Sequence, residues 1–306
     1  MTGMRRYIVF LASFIISILP ASAGEPGFEA LPFLRLSRDP SAVTGGSAQV
    51  FASGTYSVFT NPALPFSSDK GVDAALSYAR WGASGSNEID FGGAYRLSER
   101  FSLSLGFSYG MNPAYDVYNK LGALTGTFTP SDMIAGLGAG FRVSDALTLG
   151  ANVKYASSKL SDAYSYGAVA GDVFAAMEFS GLIVSAGVST LGTPVESQKT
   201  GKYNLPSSAA FGLGYGMTAG EALELRAQVT ADYYFSGAFA AGAGVEAVIK
   251  DMVSLRFGYD YGGESVIPSH ATAGIGLHFS GFRFDAKLLT GKDAGTSMLF
   301  GASYSF

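Results

Sequence analysis

The chain has 306 residues, no cysteine, 14% charged residues, 13% aromatic residues and 41 glycines. Charged residues make up about 25% of an average protein, so this chain is poor in charge, and its apolar content excludes intrinsic disorder. The lack of cysteine excludes disulfides and cysteine-ligated metal sites, and a net charge of −4 does not give the basic footprint of a nucleic-acid-binding protein.

The first 23 residues have the three parts of a secretory signal peptide. Arg5 and Arg6 precede an apolar run from Ile8 to Leu19, and the small residues Ala21-Ser22-Ala23 follow it. This run is shorter than the ~20 residues that a transmembrane helix needs. We predict that residues 1–23 are cleaved on export; the alternative is an uncleaved anchor.

Residues 24–70 show no regular alternation of apolar and polar residues. Asp39-Pro40 and Asn61-Pro62 each place a capping residue before a proline, the usual start of a helix. We predict two short helical turns, joined by a stretch that contains Gly45-Gly46, in a compact plug inside a barrel. A periplasmic tail is the alternative.

Residues 71–306 repeat one pattern, about ten residues of strict alternation followed by a turn. From Phe101 to Tyr109, for example, large apolar residues alternate with serine and glycine, which is typical of a strand with one apolar face. The pattern predicts an all-β domain of fourteen antiparallel strands. The predicted strands are 72–82, 86–96, 100–110, 130–142, 146–157, 166–178, 182–190, 206–217, 222–233, 237–250, 252–262, 269–279, 281–289 and 296–306.

The connections between these strands alternate in length. Those after even-numbered strands are tight, as at Ser180-Gly181 and Ser280-Gly281, whereas most of those after odd-numbered strands are longer, as at 111–129 and 191–205. Outer-membrane barrels have short periplasmic turns and longer external loops. We therefore predict a transmembrane β-barrel in the outer membrane of a Gram-negative bacterium; the alternative is a secreted β-sandwich.

Aromatic residues fall at both ends of the predicted strands, where a barrel meets the two membrane interfaces. The periplasmic girdle is predicted at Phe101, Phe141, Phe279, Phe282 and Phe306. The opposite girdle is predicted at Trp81, Tyr109, Tyr155, Tyr233, Tyr259 and Tyr261.

Charged residues of both signs occupy the inward positions of the late strands. Mixed signs favour a lumen that holds a plug through ion pairs over a ring of one sign that selects ions, and an ordinary solvated lumen is the alternative. The predicted lumenal residues are Glu224, Arg226, Asp232, Glu246, Lys250, Arg256, Asp260, Arg283, Asp285 and Lys287.

Little in the sequence points to catalysis. His270 and His278 lie on or next to one late strand, and no paired spacing of metal ligands or nucleophile motif accompanies them. His278 with Asp285 or Ser280 as in a membrane phospholipase is the enzymatic alternative. We predict a protein that is not an enzyme and needs no cofactor or metal.

Two motifs resemble known families. Alternation continues to the last residue, and Gly301, Tyr304 and Phe306 resemble the signal that the bacterial barrel-assembly machinery reads, which makes that machinery and the outer-membrane lipid expected partners. The segments Phe33-Leu34-Arg35-Leu36, Gly45-Gly46 and Asn61-Pro62-Ala63-Leu64 resemble the head of the PorV/PorQ family, a branch of the FadL-like barrels.

This resemblance implies a fourteen-stranded barrel with an N-terminal hatch and offers two functions. A PorV/PorQ-like protein would bind secreted cargo or secretion-system proteins in type IX secretion. A FadL-like channel would pass hydrophobic small molecules and should line its interior with apolar side chains. The inward positions of this sequence carry mostly serine, glycine, threonine and charge, so the sequence favours the secretion role.

Overall fold

The computed structural model describes residues 29–64, 71–197, 201–262 and 267–306. The predicted signal peptide and the first residues of the predicted plug, 24–28, lie outside the described residues. No described helix has the length and hydropathy to cross a membrane.

Fourteen antiparallel strands close into one barrel, in which each strand pairs with its neighbours in the chain and the first pairs with the last. The fourteen strands predicted from alternation are confirmed, with ends shifted by three residues or fewer. The wall strands are β1 Val72–Arg80, β2 Asn87–Arg96, β3 Phe101–Met111, β6 Ser131–Ser144, β7 Leu147–Lys159, β8 Ser165–Phe179, β9 Leu182–Gly192, β12 Ser208–Ala219, β13 Leu223–Tyr234, β14 Phe239–Ile249, β15 Val253–Gly262, β16 His270–Phe279, β17 Phe282–Gly291 and β18 Gly295–Ser305.

Two small hairpins that the sequence analysis missed lie in the long connections. The first is formed by β4 Tyr115–Tyr118 and β5 Leu124–Phe128, and the second by β10 Val195–Ser197 and β11 Gly201–Tyr203. Neither hairpin joins the barrel sheet. At the other end of the barrel, Ser180-Gly181 and Ser280-Gly281 close hairpins with positive φ at both residues, which is the type I′ geometry that matches strand twist.

The outer surface of the barrel is apolar, as alternation predicts. In β3 every second side chain from Phe101 to Met111 is exposed and apolar, and the intervening serines and glycines are buried. Such a surface can face lipid: its side chains are apolar, and closure of the sheet leaves no backbone group unpaired. The five phenylalanines of the predicted periplasmic girdle all face outward.

The prediction that Trp81 belongs to an aromatic girdle on the outer surface is wrong. It is 9% exposed, and its indole Nε1 donates to Glu88 Oε2 at 2.8 Å inside the lumen. It follows the buried residues Ala75, Ser77 and Ala79 of β1 with the same parity, so the alternation that turns those side chains inward also turns the indole inward.

Residues 29–64, which we call the lumenal segment, lie inside the barrel and contact the wall on several sides. Gly45 N donates to Asp260 Oδ1 of β15 at 2.8 Å, and Val58 O accepts from Asn152 Nδ2 of β7 at 3.0 Å. Wall glycines make room for its backbone. A Cβ at Gly212 would lie 1.9 Å from Ala48 O, so glycine is required there for close approach rather than for strand curvature.

The helical turns of the lumenal segment differ from the predicted ones. They are 3₁₀ turns at Pro32–Arg35 and Gly54–Phe59. Asp39 and Asn61 each form a local turn instead, in which the side-chain oxygen accepts from the backbone N–H two residues ahead. No described helix begins directly after either residue.

Candidate functional site

A cavity of about 820 Å³ lies at the long-loop end of the lumen. Its floor is the beginning of the lumenal segment, including Leu31, Phe33 and Leu36. Apolar residues from the barrel wall and the loops, among them Leu160, Val195, Ile267, Pro268 and Leu289, complete much of its lining. Most of the cavity lining is therefore apolar although the inward positions of the strands are mostly polar.

The start of the lumenal segment is tied to the loops at this end. Ala30 N donates to Asn204 O at 2.8 Å, and Glu29 accepts from the hydroxyl of Ser236. Arg35 forms an ion pair with Glu29, and its guanidinium carbon lies 4.3 Å from the centre of the Tyr234 ring. These contacts fix the edge of the cavity floor.

Arg38, which the sequence analysis did not single out, joins the floor to the wall. It is 1% exposed and donates to Phe33 O at 3.0 Å and Leu36 O at 2.9 Å, so it satisfies carbonyls in and directly after the first 3₁₀ turn. The same guanidinium pairs with Glu88 Oε1 at 2.7 Å. Since Glu88 also accepts from Trp81, one buried ion pair positions both the floor and the indole of the cavity.

Further contacts to the wall come from backbone groups of the predicted glycine pair. The backbone N–H of Gly45 donates to Asp260, and the backbone N–H of Ser47, two residues later, donates to Asp232 Oδ2 at 3.1 Å. A Cβ at Gly46 would lie 2.4 Å from Thr230 Oγ1, which explains glycine at this position. Both aspartates thus hold the lumenal segment through its backbone.

Lys287 holds the segment in the same way from another strand. Its Nζ donates to Asp39 O at 3.3 Å and Ala42 O at 3.1 Å. A charge that binds backbone groups of the segment is thus a recurring feature of this lumen.

Most of the other predicted lumenal charges pair with one another, and the guanidinium of Arg226 also lies 5.7 Å from the ring centre of Phe51 in the lumenal segment. Arg226 bonds Glu224 at 2.8 Å and Glu246 at 3.2 Å, and Arg256 bonds Glu246 at 2.7 Å. This network of ion pairs continues from Arg256 to Asp285, and from Asp285 to Arg283, at 2.8 Å each. It links the short-turn ends of β13, β14, β15 and β17, where close strands carry opposite charges face to face.

Two further predicted residues lie near the short-turn end. Lys250 is exposed in the turn between β14 and β15, with a φ of 52°. The prediction that it faces the lumen is therefore wrong. His278 stands beside Arg283 in the β16–β17 register, and Ser280 lies in the following turn.

The Asn61-Pro62-Ala63-Leu64 motif anchors the other end of the lumenal segment. Asn61 is fully buried, its Oδ1 accepts from Ala63 N at 3.0 Å, and its Nδ2 donates to Gln49 O at 2.9 Å and Ser185 Oγ at 2.8 Å. A Cβ at Gly150 would lie 2.1 Å from the carbonyl carbon of Pro62, so the motif lies directly against the wall strand β7.

The C-terminal motif lies mostly on the outer surface. Tyr304 packs on Phe282 with ring centres 4.5 Å apart and on Phe306 at 4.7 Å. Gly301 faces inward, where a Cβ would lie 2.5 Å from Pro40 Cγ. In the described part of the chain, no group of three or more metal-ligating side chains is suitably placed to hold an ion.

No protein-family model and no curated protein matches the chain. Solved structures do share its fold. The toluene transporter TbuX of Ralstonia pickettii has a TM-score of 0.61 and 12% identity over 89% of this chain and 99% of that one. The P. putida toluene transporter TodX has a TM-score of 0.62 and 12% identity, again over 89% of this chain and 99% of that one.

A Pseudomonas aeruginosa FadL homologue has a TM-score of 0.52 and 11% identity, with 92% of this chain and all of that chain covered. The fold is that of the FadL-type outer-membrane barrel. With its closed sheet and apolar outer surface, the chain belongs in the outer membrane of a Gram-negative bacterium.

Proposed function

We propose that the protein is a passive, non-enzymatic outer-membrane channel for apolar small molecules. The observation that carries this proposal is the apolar cavity at the long-loop end, with the lumenal segment as its floor. Its volume lies within the ~300–1,000 Å³ of typical small-molecule sites. The proposal reverses the preference drawn from the sequence, because much of the apolar lining comes from segments that do not alternate.

The structural neighbours support the same reading. Two are described as toluene transporters, and a third, CymD, as a monoaromatic hydrocarbon channel. We extend this class of ligand to the present chain because its own cavity is apolar and lies within the same fold. Lipid around the outer surface and the barrel-assembly machinery at Gly301, Tyr304 and Phe306 remain its proposed partners.

A direct test is available because Trp81 is the single tryptophan of the chain and lines the cavity. Titration of the purified protein with toluene should change the intensity or wavelength of its emission in a saturable way. Gly110→Leu should abolish the change: Gly110 lines the cavity, and a Cβ there would lie 3.7 Å from its nearest neighbour, so the new side chain has room to fill the space.

Gly93→Leu is the matched control. Gly93 shares the outward parity of Phe91 and Tyr95, and a Cβ there would lie 3.6 Å from its nearest neighbour. This variant should bind toluene like the parent. An emission that toluene leaves unchanged, or changes equally in all three proteins, would refute the proposal.

The secretion role implied by the PorV/PorQ resemblance is the second candidate. It is favoured by the hairpin formed by β4 and β5, which carries exposed apolar residues outside the barrel: Tyr118 is 59% exposed, Leu121 94% and Leu124 58%. Contiguous exposed apolar residues often mark a protein-binding surface. Replacing these three residues by serine should impair cargo secretion under this candidate and leave toluene binding unchanged.

A further inference from the structure

The cavity has one polar side and one apolar side. The polar side comprises the ends of β2 and β6 and the neighbouring loop residues, which include Ser86, Asn87, Glu88, Asn112 and Asp132. The apolar side comes from the lumenal segment and from the connections after β9 and β15, with residues that include Leu31, Phe33, Val195 and Ile267. A molecule with an apolar body and one polar head group fits this arrangement.

The basic side chains that line the cavity already have acidic neighbours. Arg35 pairs with Glu29, and His270 Nε2 lies 3.5 Å from Asp260 Oδ2 while its Nδ1 lies 2.8 Å from Pro268 O. A carboxylate entering the cavity would therefore compete with a residue that is already in place.

The two lining carboxylates differ from each other. Glu88 is paired with Arg38. Asp132 Oδ2 accepts from Asn112 Nδ2 at 2.9 Å, and within the described residues no cation lies within ion-pair distance of Asp132. Asn112 in turn accepts from the Ser86 hydroxyl at 2.6 Å, which fixes the orientation of the amide. Asp132 thus gives the polar side a net negative charge.

On the basis of the proposed channel function, we propose that this cavity takes apolar molecules whose head group is a neutral or cationic hydrogen-bond donor, and discriminates against anionic amphiphiles of the same length. Asp132 is the residue that determines this specificity. A hydroxyl or ammonium group can donate to its carboxylate, whereas a carboxylate head is repelled by it and has no free cation to bind.

The test uses Trp81 emission and three ligands with the same ten-carbon chain, 1-decanol, decylamine and decanoate, at pH 8 in nonionic detergent. Decylamine and decanoate are both charged at this pH, so their comparison separates the sign of the charge from hydrophobicity. Decylamine should bind at least about tenfold more tightly than decanoate, the size of effect expected for one partly screened charge. Decanol should also bind more tightly than decanoate.

Asp132→Asn removes the charge and keeps an acceptor for Asn112. It should narrow the difference between decylamine and decanoate to about threefold or less, by weakening the first and strengthening the second. Asp116→Asn removes an exposed carboxylate of β4 that does not line the cavity, so it should keep the full difference between decylamine and decanoate seen in the parent protein.

The wild-type order needs no variant and is decisive by itself. Decanoate that binds as tightly as decylamine would overturn this specificity while leaving the channel proposal intact. A difference between decylamine and decanoate that Asp132→Asn leaves at the size seen in the parent would overturn the role of Asp132. Failure of toluene and all three amphiphiles to change the emission would instead refute the proposed channel function.

Discussion

Replacing Asn61 by alanine should release the lumenal segment while the barrel stays folded. Asn61 is fully buried and makes three hydrogen bonds, to Ala63 N, Gln49 O and Ser185 Oγ. The first two hold the turn and the segment to each other, and the third ties them to wall strand β9. Alanine removes all three and leaves the N–H of Ala63 and the carbonyl of Gln49 without these partners.

The magnitude follows from these contacts. A hydrogen bond contributes about 0.5–1.5 kcal/mol net, and a buried group left unpaired costs more, so we expect a loss of about 2–4 kcal/mol. Because every 1.4 kcal/mol changes an equilibrium tenfold, the equilibrium constant for release of the segment should rise by about thirtyfold or more. The ladder bonds between wall strands do not involve Asn61, so barrel closure should be unaffected.

Two measurements report on this change. Single-channel recording in planar bilayers should show larger or noisier conductance for Asn61→Ala than for the parent. Trypsin should cleave the variant after Arg35 and Arg38, which are buried in the parent and become accessible when the segment moves.

Asn119→Ala is the control for this experiment. Asn119 Oδ1 accepts from Leu121 N at 2.9 Å and Ala123 N at 3.0 Å in an exposed turn, so the same substitution removes comparable local bonds outside the lumen. It should leave conductance and trypsin cleavage at the parent level. Unchanged conductance together with unchanged protection of Arg35 and Arg38 in Asn61→Ala would refute the reasoning.

Two further variants test the packing of the lumen. Gly212→Val should expose the lumenal segment to trypsin without preventing barrel assembly, because the new Cβ would lie 1.9 Å from Ala48 O and overpacking costs about 1–3 kcal/mol; a protected segment would contradict this. Lys154→Met should lower the temperature at which the folded band is lost on a heat-modifiability gel. It leaves Asp172 buried without the Nζ at 2.6 Å, at a cost of about 3–5 kcal/mol, and an unchanged transition would contradict this.

The barrel could be predicted from the sequence because each strand carries its own signal. In β3 alternation from Phe101 to Met111 assigns every side chain to lipid or lumen without knowledge of any other strand. The same rule, carried one residue past the end of β1, would have placed Trp81 in the lumen. Its assignment to the girdle followed the general preference of tryptophan for interfaces, and parity proved the better guide.

The cavity could not be predicted in this way, because its lining depends on contacts between distant parts of the chain. Leu31 and Phe33 precede the first strand, Val195 lies in a loop hairpin, and Ile267 lies in another loop. None of these positions has a strand parity, so counting inward residues gave a polar lumen. The sequence carried one usable signal for Arg38: Glu88 and Asp90 share the inward parity of β2, which predicts a basic partner in the lumen. Arg38 is that partner, at 2.7 and 3.5 Å.

The central claim is that apolar molecules enter through the cavity at the long-loop end. The most direct measurement is uptake of radiolabelled toluene by intact cells that lack the gene for this chain and are complemented with the parent, Gly110→Leu or Gly93→Leu at equal surface levels. We predict that the parent and Gly93→Leu restore uptake equally, and that Gly110→Leu stays at the level of the deletion strain. Uptake by Gly110→Leu cells equal to that of the parent would contradict the account.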